Sequence, residues 1–414
     1  MSKSKRGWLT DQYWVTEFNY LEEVRKQFTL PEAVRIHEVT LREAEQTPHV
    51  VIKPDEKLRI YEALDDMGVY SLELLPIISS DDREVARELV KMRKAGHKAK
   101  VFFLCRWEPK EVDFAVENGA DGIVVECPGS PWFGQVVWGL DENAMIERLT
   151  KTAAHAKKQG IYTTVMPWED TKAPVQFLER MFKSVVNEGG ADEVTYTDTM
   201  GFGLPVTTTY MIRKIREWVP GVRVGMHAHN DFGLATAVML SAVVGGASTV
   251  HTCVNTLGER AGNASTEEVA LNVELLLGLD TGVKLDRLYP VSRLVSEITK
   301  IPVPANKPIV GDNEFTYESG MVADMLLRMG QTERPFTTMP FLPEVIGRKG
   351  HKIVLGKMSG GTVIKNKLAE LNLSATKEQV AEIVERVKRE AIVRKWSIPD
   401  EVFETIARAV LEDR

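Results

Sequence analysis

Residues 222–254 read VRVGMHAHNDFGLATAVMLSAVVGGASTVHTCV, and this stretch decides the fold. Val222–His227 is a short apolar run, Gly233–Gly245 carries apolar residues at helical spacing, and Thr249–Val254 is a β-branched run. Strand, helix, strand in that order is a parallel βαβ unit, because parallel neighbours need a crossover of about a dozen residues. The same alternation extends back to about residue 33. The remaining predicted strands are Val34–Val39, Val69–Leu75, Lys100–Leu104, Gly122–Val125, Ile161–Met166 and Glu193–Thr197. Amphipathic helices are predicted between them, among them Asp55–Met67, Asp82–Lys94, Glu142–Gln159 and Ala173–Glu188. Eight such units over residues 33–282 have the size of a (β/α)8 TIM barrel. A doubly wound open sheet is the rival, but no glycine-rich dinucleotide turn follows the first strand.

Two segments flank the barrel. Residues 1–32 set Trp8, Tyr13, Trp14, Phe18 and Tyr20 in a charged background and predict a helical arm packed on the barrel or on a partner subunit. Residues 283–414 predict a linker and a mainly helical C-terminal subdomain. In it, Leu285–Lys300 reads as a helix, Ile301–Asn306 as an extended link, and Thr316–Met329 and Thr362–Leu371 as short helices. Ala375–Arg394 and Pro399–Leu411 then form an antiparallel helical pair, broken at Ser397-Ile398-Pro399.

The 414 residues are 43% hydrophobic and 27% charged, an ordinary globular composition. A net charge of −7 argues against nucleic acid as the main partner, since no broad basic face would neutralise phosphates. The basic start at residues 1–8 is not followed by an apolar signal region, and no run is long enough to span a bilayer. Cys105, Cys127 and Cys253 stand alone without CxxC spacing, which fits a reducing cytoplasm.

In a barrel of this kind the chemistry sits where the strands end. Reading those ends gives Arg42 and Glu43, Glu73, Arg106, Ser130, Glu169 and Asp170, then Asp198 and Thr199. His227 and His229 follow, and last Asn255, Glu259, Arg260 and Asn263. His227-Ala228-His229 is the strongest local signal, because residues i and i+2 of a strand point the same way. Two imidazoles and a carboxylate hold a divalent cation and leave positions open for substrate oxygens. The plain alternative is a pair of surface histidines; a carboxylate at the first strand end, Glu43, favours the metal.

Thr40-Leu41-Arg42-Glu43-Ala44-Glu45-Gln46, His227-Ala228-His229-Asn230-Asp231-Phe232-Gly233 and Leu257-Gly258-Glu259-Arg260-Ala261-Gly262-Asn263-Ala264 occur in this order. Together they resemble the signatures of the isopropylmalate, homocitrate and citramalate synthase family, to which hydroxymethylglutaryl-CoA lyase is more distantly related. Val310-Gly311-Asp312-Asn313, Glu318-Ser319-Gly320 and Leu355-Gly356-Lys357-Met358-Ser359-Gly360 resemble motifs of the synthases specifically. The resemblance spans roughly residues 33–361.

That resemblance implies a metal-dependent acyltransferase condensing an acyl-CoA, acetyl-CoA above all, with a 2-oxo acid to give a 2-hydroxy-2-alkyl dicarboxylate. It places a divalent cation (Mg, Mn or Zn) on Glu43, His227 and His229, with Asn263 as an occasional further ligand. Arg42 falls on the arginine that stabilises an enolate oxygen, and Glu73 on the carboxylate that arranges it. Gln46 and Thr199 match positions near the 2-oxo acid, and Arg106 and Ser130 are substrate-binding candidates at the rim. A homodimer is also implied. The bland readings are that Arg42 and Glu73 form a structural ion pair, that Asn263 caps the eighth helix, and that Tyr317 is packing.

Some positions depart from the family. Val322 stands where the synthases carry a histidine for proton transfer, and Met358 where histidine is common. Tyr317, Glu318 and His251 are the candidates to supply the missing function, and Tyr317 is the one placed among the catalytic residues. Ala44 replaces the usual glycine, and Arg106 follows the third strand where homocitrate synthases have histidine. Arg106 and Lys172 suit a dicarboxylate acceptor; Trp107, Trp132 and Trp168 suit a narrower pocket or a larger apolar or aromatic side chain. The sequence ends short of the synthases' C-terminal amino-acid-binding domain, so inhibition through such a domain is not expected. A lyase or aldolase running the reverse cleavage, and a non-catalytic metal-binding homologue, are the other readings.

Overall fold

A computed structural model describes residues 7–412. The basic residues 2–6 noted above lie outside the described residues. The chain divides into two compact units, one over Thr16–Val303 and one combining Leu9–Val15 with the chain from Pro304 onward.

The first unit is a closed, all-parallel, eight-stranded barrel with its strands in sequence order. They are β1 (Arg35–Glu38), β2 (Ser71–Leu74), β3 (Lys100–Arg106), β4 (Gly122–Pro128), β5 (Tyr162–Trp168), β6 (Glu193–Asp198), β7 (Arg223–Ala228) and β8 (Thr249–Thr252). The ring closes where His37 and Glu38 of β1 pair with His251 and Thr252 of β8. Eight helices of at least nine residues follow the strands: α1 (Pro54–Met67), α2 (Ser80–Lys94), α3 (Pro109–Glu117), α4 (Glu142–Gln159), α5 (Val175–Asn187), α6 (Pro205–Trp218), α7 (Ala235–Gly245) and α8 (Thr266–Leu276). Local chemistry starts them. Ser79 accepts from the Asp82 amide at 3.0 Å and Asp141 from the Ala144 amide at 2.8 Å, while α1, α3 and α6 begin on proline, whose missing N–H is no loss there.

Strand alternation fills the barrel. Phe102, Leu104, Val124 and Met166 pack as one apolar layer inside it. On β4 the next inward position beyond Val124 is Glu126, opposite Arg106 and Met166 in register. β3, β4 and β5 thus run two or three residues beyond their predicted ends at Leu104, Val125 and Met166, because the strand pairing continues past the β-branched and apolar runs.

The arm differs from expectation. Among its described residues the helical pieces are single turns at Glu17–Tyr20 and Glu22–Arg25. Tyr20 donates to the Leu275 carbonyl at 2.7 Å and Arg25 to that of Leu277 at 2.8 Å, which docks this part on the barrel's own last helix. Leu9–Val15 instead belongs to the second unit, where Tyr13 bridges Phe341.

In the second unit the predicted helix over Thr316–Met329 is split. Thr316–Tyr317 forms a two-residue strand paired in parallel with Lys352–Ile353, and the helix begins only at Gly320. Gly361–Glu370, Lys377–Arg394 and Asp400–Glu412 are helical close to expectation. They enclose an apolar core that includes Ile364, Ile383, Val387, Phe403 and Ala407. Among the described residues no helix is long and apolar enough to cross a membrane.

Candidate active site

At the end of β1 the chain turns sharply into a helical turn, Thr40–Glu43, and Glu38 holds that turn. Its buried carboxylate accepts from the Thr40 amide (2.8 Å), the Thr40 hydroxyl (2.6 Å), the Val254 amide (3.2 Å) and the Thr266 hydroxyl (3.1 Å). One side chain thereby ties the start of the ring to its end and brings Arg42 and Glu43 over the mouth. Arg42 donates through Nε to Glu73 and through Nη1 to Glu43. Its Nη2 is buried and has no partner.

Across the mouth, β7 delivers His227 and His229 from successive inward positions. Their Nε2 atoms are 3.4 Å apart, and His227 Nε2 lies 3.9 Å from Glu43 Oε1. Donor atoms of Glu43, His227 and His229 all fall within 4.8 Å of one another, and all three residues are buried. These separations are within reach of donors sharing one cation at about 2.1 Å. Glu43 Oε2 and Asn263 Oδ1 are buried without a hydrogen-bond partner. Unmatched oxygens beside two neutral imidazoles fit a divalent cation.

The loop after β8 is shaped around this group. Gly258 and Gly262 adopt φ of +134° and +78°. A Cβ on Gly258 would lie 2.1 Å from Asn263 Nδ2, and one on Gly262 1.7 Å from the Thr256 carbonyl oxygen. Asn263 is not the cap of α8; Ser265 is, accepting from the Glu268 amide at 3.4 Å.

The electrostatics follow from burial and pairing. Burial alone would raise the Glu43 and Glu73 carboxyls, but Arg42 beside both, with His229 near Glu43 and His37 near Glu73, holds them below the usual carboxylate value. Burial, reinforced by His229 and Arg42, keeps His227 well below the ordinary histidine value; burial also lowers His229. Both imidazoles are therefore neutral at pH 7, the form that ligates a metal. A second trio, His37, Glu73 and His251, also clusters inside the barrel. Two of its members are already used: His37 bonds Ser71 Oγ at 2.7 Å and Glu73 Oε2 at 3.2 Å, and Glu73 takes Arg42 on its other oxygen, whereas His251 Nδ1 is buried without a partner.

A cavity of about 410 Å³ brings together Arg42, Glu43, Gln46, Thr199, His227 and His229, with Glu259 and Arg260 at its edge. Glu73 does not line it and is joined to it through Arg42. Arg106 is not in this group. Its guanidinium is held by Glu111 (2.8 and 2.5 Å) and lines a neighbouring cavity of about 330 Å³. Ser130 is buried at the N-cap position of the short helix Pro131–Trp138 and lines neither cavity. Tyr317 belongs to the second unit, half-buried with its ring edge-on to His351 at 6.2 Å between centroids. Val322 is in that unit's helix Gly320–Met329, and Glu318 accepts from the Met358 amide at 3.1 Å. Asp170 and Asp198 serve the backbone, accepting from the Thr197 amide and from the Phe202 and Gly203 amides.

Sequence reading missed Glu126. It lines both cavities, and burial, opposed by Arg42 and aided by Glu73 and Glu43, raises its carboxyl to about 7. The signal was present: a carboxylate two residues after an inward valine, within Ile123-Val124-Val125-Glu126-Cys127, faces the barrel interior.

Comparison with known proteins bears on this geometry. The family model described as HMGL-like matches residues 33–295. The chain belongs to the HMGL-like family. Residues 309–395 match a second model, the homocitrate synthase post-HMGL domain-like region, so the family's synthase branch is represented in the second unit as well. An (R)-citramalate synthase of Methanocaldococcus jannaschii is 38% identical, covering 91% of this chain and 74% of its own. A homocitrate synthase of Methanopyrus kandleri is 36% identical over 95% of this chain and 97% of its own. A probable 2-isopropylmalate synthase of Ignicoccus hospitalis is 35% identical over 93% and 94%. The crystal structure of hydroxymethylglutaryl-CoA lyase from Pseudomonas aeruginosa superposes with a TM-score of 0.58 at 21% identity, covering 66% of this chain and 95% of that one, which supports the barrel fold.

Proposed function

We propose that this chain is a divalent-metal-dependent acyltransferase that joins an acyl-CoA, with acetyl-CoA the expected donor, to a 2-oxo acid, giving a 2-hydroxy-2-alkyl dicarboxylate. The observation that carries the reading is the meeting of Glu43, His227 and His229 in one cavity with Arg42. Relatives named as citramalate, homocitrate and isopropylmalate synthases support the reaction class.

Glu43, His227 and His229, with Asn263 as a fourth donor, would hold the cation. When bound, Mg²⁺, Mn²⁺ or Zn²⁺ supplies a Lewis acid that polarises the carbonyl of the 2-oxo acid. Arg42 is fixed by Glu73 and Glu43, so its unpartnered Nη2 is aimed without further ordering at oxygen that gains negative charge. Thr199 accepts from the Glu169 amide at 2.8 Å, which leaves its hydroxyl proton free for the acceptor's carboxylate, and Gln46 adds an amide beside it. Tyr317 takes the proton-transfer role vacated at Val322. Burial, then Glu314, raises its hydroxyl above the ordinary tyrosine value, so it stays protonated. The buried, unpaired Cys105, Cys127 and Cys253 support a reducing cytoplasm, and the family resemblance supports a homodimer.

The test is free-thiol release from acetyl-CoA by the metal-loaded protein with a panel of 2-oxo acids. Release with at least one acid, abolished by His227→Ala, is expected. Cleavage of a hydroxy acid or its CoA ester without thiol release would move the assignment to a lyase. Turnover that survives complete metal removal would refute both.

A further inference from the structure

Every cation around the metal-side cavity already has a carboxylate. Arg42 is held by Glu43 and Glu73, Arg106 by Glu111, Lys172 by Glu169 at 2.6 Å, and Arg260 by Asp231 at 2.9 Å. Glu126 is the reverse case: among the described residues its side chain makes no hydrogen bond or ion pair, yet it stands inside the barrel mouth. It sits on the wall common to both cavities together with Trp168. Phe133 and Trp138 pack on that indole at 5.0 and 6.2 Å between centroids. This wall lines the same cavity as Glu43, His227 and His229, so it is within the space open to the side chain of a 2-oxo acid anchored there.

We infer that Glu126 sets the specificity for the acceptor, selecting a 2-oxo acid whose side chain carries a hydrogen-bond donor, such as a hydroxyl, and rejecting one that ends in a second carboxylate. The inference rests on the acyl-transfer reading for its substrate class. A half-buried acceptor that a bound ligand cuts off from water without offering a donor is left unsatisfied, and this discriminates far better than apolar contact does. A terminal carboxylate would face Glu126 where Arg42, Arg106, Arg148 and Arg260 are already paired and Lys110, exposed at the neighbouring cavity, is the unpaired cation among the described lining residues, so like charges oppose each other across the wall. The wall thereby departs from the dicarboxylate preference that Arg106 and Lys172 imply in the sequence, because both are already neutralised.

The experiment uses three five-carbon acceptors with the manganese-loaded full chain: 5-hydroxy-2-oxopentanoate, 2-oxopentanoate and 2-oxopentanedioate. Both kcat/KM from thiol release and Kd by calorimetry are measured. Wild type is expected to favour the hydroxy acid over 2-oxopentanoate by about 10-fold or more, and to disfavour the diacid further. Glu126→Val should bring the hydroxy and apolar acids within about threefold of each other, the range left to weak packing contacts. Glu126→Gln, nearly isosteric and safe should the valine variant not fold, should restore binding of the diacid, since an amide donates to a carboxylate. If no acid releases thiol, the acyl-transfer reading fails, and the Kd series then decides this inference separately. Equal binding of hydroxy and apolar acids, tightest binding of the diacid by wild type, or a ranking unchanged in both variants overturns it.

Discussion

Arg42 shows how much rests on the geometry of one side chain. Two of its nitrogens are committed to Glu73 and Glu43, and the third is buried without a partner in a residue that lines the cavity. Lysine keeps the charge but cannot hold two carboxylates and still present a third donor in a fixed plane. Arg42→Lys is therefore expected to lower kcat about 100-fold or more, with a smaller change in KM for the 2-oxo acid. Steady-state kinetics would check this; an unchanged kcat would remove Arg42 from the chemistry. Glu43, His227 and His229 were legible because strand ends and i, i+2 spacing dictate direction without tertiary knowledge. Arg106 and Ser130 were not, since Arg106 is captured by Glu111 on the following helix and Ser130 is taken up in a helix start. Glu126 was hidden because a charged residue closing an apolar run reads as the strand's end.

Among the elements, the junction of β1 with the loop after β8 is the most constrained. Removing the Glu38 carboxylate strands the Thr40 amide and hydroxyl in a dry interior, while the Val254 amide keeps the Thr40 hydroxyl oxygen. Glu38→Ala is expected to cost about 3 kcal/mol, from more than one buried donor left unmatched. Urea unfolding would measure it, and a loss below about 1 kcal/mol would show that water reaches those groups. Gly262→Ala should act on function as well: its Cβ would collide with the Thr256 carbonyl, and the shift needed would displace Asn263. A lower metal stoichiometry by elemental analysis is the expected outcome, and full occupancy would contradict it. The barrel's alternation was readable because long periodic segments announce themselves. The paired strands Thr316–Tyr317 and Lys352–Ile353 were not, because two residues carry no period.

For the molecule as a whole, the buried imidazoles link stability to pH. Burial, then His37, His227 and Arg42, holds His251 well below the ordinary histidine value. In the unfolded chain it takes a proton near pH 6.5; in the fold it stays neutral. Its contribution is thus fully present above that pH and is lost as the pH falls. In the metal-free protein, the stability advantage of wild type over His251→Gln should shrink by about 1.4 kcal/mol per unit as the pH drops from about 6 to about 5. Urea titrations at both pH values would measure this, and a constant difference would refute it. At this scale the barrel was predictable from the count of βα units. The place of Leu9–Val15 was not, since its pairing with Phe341 joins distant parts of the chain and leaves no local trace.

The pairing of β1 with β8 carries a consequence for how the molecule assembles. Glu43 follows the first strand and the histidines end the seventh, so no partial ring with fewer than seven strands contains the complete donor set. Such long-range contacts form late, because loop-closure entropy must be met first. Cobalt(II), whose absorption reports its ligands, should therefore take on the colour of the native site only with the slowest phase of refolding. The cation would then act as a latch, binding the ring only once it has closed and disfavouring its reopening thereafter.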